Sequence, residues 1–85
     1  MEYKAKKLGA TEFGISTAQH KKYYVIYNNK KINFGDNRYD SYDVHGDKKR
    51  RSNYRKRASA IRNKDGELTY NNKNYANYWA YHLLW

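Results

Sequence analysis

Cysteine and proline are both absent from these 85 residues. Without cysteine there can be no disulfide, no thiolate nucleophile and no Cys-based zinc site, and the redox compartment is left open. That matters for stability, because a chain this short buries only a little over ~60% of the surface its unfolded form exposes. Long apolar runs are missing too. No window approaches the roughly eighteen consecutive apolar residues of a membrane span, and mean hydropathy is −1.31. The N-terminal "MEYKAKKLGATEF" lacks an apolar signal core, so the expectation is a soluble protein that is not exported by a signal peptide. A Ser/His/Asp triad, a phosphate-binding P-loop and a dinucleotide glycine motif are likewise lacking. No enzyme and no cofactor are therefore expected, a metal-dependent nuclease ranking third behind two non-enzymatic readings.

Acids are scarce: eight Asp and Glu face eighteen Lys and Arg, for a formal charge of +10. The excess is concentrated. "KKRRSNYRKR" at 48–57 holds seven cations in ten residues and no acid, which leaves +3 for the other seventy-five. Seven charges in ten positions wrap most of a helix, and self-repulsion at that density calls for an anionic partner. Nucleic acid is the first expectation, DNA ahead of RNA, and an acidic protein surface is the alternative. Lys, Asn, Tyr and Ile supply 37 of the 85 residues. All four have AT-rich codons, so the eleven tyrosines are weak evidence for base stacking.

One small α+β domain over 1–85 is expected, in which a three-stranded antiparallel sheet packs against two helices. "KKYYVIYNNKKINFGD" alternates aromatic and β-branched residues with a period of two, giving a hairpin over about 21–35. A turn at Asn28-Asn29 pairs Val25 with Ile32 and Tyr23 with Phe34, while a turn shifted by one residue would pair Tyr27 with Ile32 and Val25 with Phe34 and keep the same face buried. "TEFGIST" supplies a third strand, with Gly14 suggesting a bulge or fraying. Asp47 is a good N-cap for a basic helix over about 47–62, where no glycine or proline interrupts. Tyr54, Ala58 and Ile61 form its narrow apolar stripe. A turn falls at Asp65-Gly66. Asn74 would cap a C-terminal aromatic helix over about 74–85, with Tyr75, Tyr78, Trp79, His82 and Leu83 on one face. That face would close the core or, in part, meet another chain to form an oligomer.

Three segments in order resemble a family of small basic uncharacterised proteins encoded by large nucleocytoplasmic DNA viruses of irido-, chloro- and mimivirus type. They are "KKYYVIYNNKKINFGD", the His45–Arg57 pattern H-x-D-x-x-R-x-x-x-Y-x-x-R, and "YWAYHLLW". The positions that carry the resemblance are Phe34, Gly35, His45, Asp47, Arg50, Tyr54, Arg57, Trp79, Leu83, Leu84 and Trp85. Relatives often have His where this chain has Ala58, which weakens any role for a histidine pair. The resemblance implies a viral setting, in the host nucleus or cytoplasm during infection or in the virion, and no activity.

Asp36, Asp40, Asp43, His45 and Asp47 could be drawn around a divalent metal, since oxygen-rich sites suit Mg²⁺ or Mn²⁺. No spacing matches a known loop, and a structural motif of His45, Asp47 and Tyr54 is the preferred reading. "YVIY" resembles the opening of a GIY-YIG nuclease, but the second tripeptide and the downstream Arg, Glu and Asn are absent. What remains is electrostatic. Arg50, Arg51, Arg55 and Arg57 can fork onto phosphates, with Lys48, Lys49 and Lys56 as mobile point charges. Tyr39 and Tyr42 are candidates to stack on single-stranded bases. The same run also fits a nuclear-import signal. The functional expectation is a phosphate-binding accessory protein with little sequence specificity. The alternative is a minor capsid or assembly protein whose basic helix and aromatic C-terminus contact other proteins.

Overall fold

A computed structural model of the chain describes residues 1–38, 41–42 and 46–85. His45, Tyr39, Asp40 and Asp43, named above, lie outside the described residues. The elements are α1 (Glu2–Lys7), β1 (Glu12–Ile15), β2 (Tyr23–Tyr27), β3 (Lys30–Phe34), α2 (Lys48–Ala58) and α3 (Ala76–Leu83). The expected α+β architecture is present, with the antiparallel sheet ordered β1-β2-β3.

Asn28 and Asn29 both take positive φ, 53° and 61°, which matches the turn's twist to that of its strands. The hairpin register follows, with Val25 opposite Ile32 and Tyr23 opposite Phe34. On the other edge, pairing runs unbroken through Gly14, which faces Tyr24. No bulge forms there. A Cβ on Gly14 would lie 2.7 Å from the Tyr24 ring, so glycine leaves room for that ring to lie across the strand, and a larger residue would make the ring shift.

One face of the sheet carries Val25, Ile32 and Phe34 into a core closed by α3. Trp79, Phe34, Leu84 and Val25 are the largest fully buried side chains. Trp79 places its indole against Tyr27, ring centroids 6.0 Å apart, and its Nε1–H donates to the Lys73 carbonyl at 2.8 Å. The aromatic helix is capped one residue later than expected: Tyr75, not Asn74, is its N-cap, and no side chain bonds there. Leu84, just past the helix, is buried against Gly35, whose φ is +79° and whose added Cβ would sit 2.8 Å from Leu84 Cδ1. Helix α1 has no counterpart in the sequence reading. It is six residues long and drops one fully buried side chain, Ala5, into the core beside β1 and α3.

The basic helix starts as expected, with Asp47 Oδ1 accepting from the Lys49 and Arg50 N–H groups at 2.9 and 3.2 Å. It stops at Ala58, four residues short of the expected end. The chain turns there because Thr69 reaches back, its N–H and hydroxyl both donating to the Ile61 carbonyl. Ile61 is consequently 50% exposed and is not part of the helix's apolar stripe. Asn63 Oδ1 then accepts from the Asp65 and Glu67 N–H groups, fixing the expected turn at Asp65-Gly66. Among the described residues no helix is long and apolar enough to cross a membrane.

His82 lies between Tyr78 and Tyr81, with ring centroids 4.2 and 5.0 Å away, and its buried Nε2 has no hydrogen-bond partner among the described residues. Burial pushes its pKa down against a backbone bond at Tyr70 that raises it, and the positive charges of Lys4 and Arg55 add smaller downward effects. A base held neutral in the folded state binds fewer protons than it does unfolded. Stability is therefore complete above the ordinary histidine pKa, about 6.5, and falls as pH drops through it. The melting temperature should decline on acidification from pH 7 to pH 5, and a His82→Phe variant should flatten that decline.

Candidate nucleic-acid interface

Helix α2 reaches the body chiefly through α3, and its side chains divide into an anchored set and an outward set. Ala58 is fully buried and Tyr54 is half-buried. The Tyr54 ring stacks on Trp85 at 4.2 Å with planes 10° apart. Burial raises the Tyr54 pKa against a smaller opposing effect of Arg57, so its hydroxyl stays protonated at neutral pH.

Arg51 and Arg55, one turn apart on this inner side, converge on a single atom. The Trp85 main-chain oxygen accepts from Arg51 Nε at 2.7 Å and from Arg55 Nη2 and Nε at 3.0 and 3.3 Å. Each guanidinium also covers a tyrosine: Arg51 lies 4.7 Å from the Tyr42 ring and Arg55 5.1 Å from that of Tyr81. These two arginines were expected among the phosphate contacts, and the structure gives them an internal task. Tyr42, a candidate for base stacking, already carries Arg51 on one ring face.

The other five are exposed: Lys48, Lys49, Arg50, Lys56 and Arg57. Among the described residues none of the five pairs with a carboxylate, since the ion pairs there are Glu2–Lys6 and Asp36–Arg38. Nor does the helix relieve its own charge. Its first turn has no acid and Lys48 to Arg51 crowd the positive helix end, with the Asp47 cap as the local offset, while Arg55 to Arg57 suit the negative end.

Arg50 and Arg57, seven residues apart, share one side of α2 and border a cleft toward α3 and the end of β3, whereas Lys48 and Lys56 border a shallower hollow on the opposite side beside Tyr81. Asp36, the acid at the cleft among the described residues, is taken up by Arg38, whose Nε and Nη2 donate to its two oxygens at 3.0 and 2.8 Å. Those bonds hold its carboxyl far below the usual carboxylate range. Asp36 and Asp47 thus have structural partners, and among the described residues no three His, Asp or Glu cluster as metal ligands would. Lys21, Asn77, Tyr81 and Trp85 belong to this region without having been singled out for it. Asn77, Tyr81 and Trp85 contact α2 across nineteen to thirty-four positions, and nothing local in the sequence signals such pairing.

Fold and site together define a small α+β protein that displays a basic helix, its inner arginines locked and its outer cations open. The chain belongs to a family of unknown function, DUF5754, whose family model matches residues 11–58, the sheet through α2. No curated protein and no solved structure matches it.

Proposed function

We propose that this chain is a viral accessory protein that binds nucleic acid through phosphate contacts with little sequence specificity, the outer side of α2 lying along the backbone. One observation carries the reading: five exposed cations on an eleven-residue helix, without a carboxylate partner among the described residues. Phosphates supply the counter-charge, and contacts to them set affinity and position without reading bases. The viral setting rests on the sequence resemblance alone.

The assembly-protein reading ranks second because the aromatic end is employed internally. Trp79 and Leu84 are buried in the core and Trp85 stacks on Tyr54, which leaves little of that segment for a neighbour. A gel-shift salt titration on a mixed-sequence duplex tests the proposal. With about four to six phosphates neutralised, log K should fall against log salt with a slope of roughly −4 to −5. A flat response would overturn it.

A further inference from the structure

The cleft beside α2 has a volume of about 830 Å³, within the ~300–1,000 Å³ range of small-molecule sites. Its floor is apolar, formed by Ala76, Ala80 and Leu84, with the Tyr54 and Trp85 rings at one side. Among the described residues the rim is cationic, with Arg50, Arg57 and Lys21, and the acid there, Asp36, is neutralised by Arg38. A phosphate-only interface needs no apolar cavity, and a purely apolar ligand needs no arginines at the mouth. The combination fits a flat, largely apolar ring joined to phosphates.

Asn77 sharpens the match. Its Nδ2 donates to the Ala58 carbonyl at 2.9 Å and to Thr69 Oγ1 at 3.0 Å. Both N–H groups are thus used inside the fold, and what it offers the cleft is the Oδ1 acceptor. Asn53, exposed on the α2 lip, adds an amide with both donor and acceptor capacity.

We infer that this cleft takes one unstacked base of a single-stranded nucleic acid, with Arg50 and Arg57 holding the flanking phosphates, so that the protein prefers single strands to duplex. The inference rests on the phosphate-binding reading above. Bases within a duplex are stacked and paired and cannot enter; those of a single strand can be splayed out and held against aromatic and apolar walls. Electrostatics favours the opposite order, because the duplex has the higher charge density and the steeper counterion release. A single-strand preference therefore reports a contribution from the bases.

The test compares fluorescence polarisation of labelled (dA)12 with that of the (dA)12·(dT)12 duplex at matched salt concentrations across a titration. The single strand should bind about tenfold more tightly. It should also change the tryptophan emission, since Trp85 borders the cleft while Trp79 is fully buried. Asn53→Leu removes the lip amide and fills the mouth without altering charge; it should abolish the preference and leave the salt slope unchanged. Because Asn53 is exposed and makes no side-chain hydrogen bond among the described residues, an unchanged melting curve will show that the variant folds. Equal or tighter duplex binding, with a steep salt slope and no effect of Asn53→Leu, overturns the cleft assignment and spares the phosphate reading. Failure to bind either probe overturns both.

Discussion

Changing Lys48, Lys49, Arg50, Lys56 and Arg57 together to glutamine is expected to weaken nucleic-acid binding roughly a thousandfold at 0.1 M salt, and to flatten the salt slope toward zero. The size follows from counterion release, to which each lost phosphate contact contributes about 0.9 of slope on duplex DNA. The fold should survive. All five side chains are exposed, glutamine is a sound helix former, and removing like charges relieves repulsion, so the melting temperature should hold or rise. Arg51→Gln with Arg55→Gln makes the informative contrast. That pair subtracts two charges but removes the bonds to the Trp85 main-chain oxygen, so it should lower stability and change the salt slope little. If the two variants lose affinity in proportion to charge alone, the division of the helix into inner and outer cations is wrong. Gel shift and thermal melting, run in parallel, decide it.

Trp79→Ala should come close to unfolding the protein. Trp79 is the largest fully buried side chain, it packs on Tyr27 and Tyr78, and its indole N–H satisfies the Lys73 carbonyl. Large-to-alanine changes of this kind cost about 3–5 kcal/mol. A domain of this length has a total stability of only roughly 4–13 kcal/mol, and no disulfide supplements it. Urea denaturation followed by far-ultraviolet circular dichroism should show a much lower midpoint, or no folded baseline at all. A shift under about 1 kcal/mol would mean that the core lies elsewhere.

What could be read from the residues was what local chemistry decides. Asn28-Asn29 pointed to the hairpin turn because both residues tolerate positive φ, although a register shifted by one residue would have buried the same face and the folded pairing chose between them. Asp47 marked the start of α2 because capping is a contact within three residues. The end of that helix could not be read. Helical propensity continues to residue 62, and the stop is made by Thr69, a contact closed only on folding. Helix α1 escaped notice because six residues with a single buried alanine give no periodicity to detect. Gly14 looked like a weak point in its strand until the ring lying across it was placed. The basic run announced a charged surface, yet gave no sign that two of its seven cations turn inward to a residue thirty or more positions away.

That inward turn limits how α2 can move. Three features hold it: two guanidinium groups share one oxygen, each also rests on a tyrosine, and the Tyr54 ring lies flat on Trp85. Together they prevent the helix from rolling about its own axis. The point on the surface from which each outer cation projects is settled during folding, so on the proposed function an arriving strand would meet a helix whose outer face is already turned toward it. Little orientational entropy is then left for docking to remove.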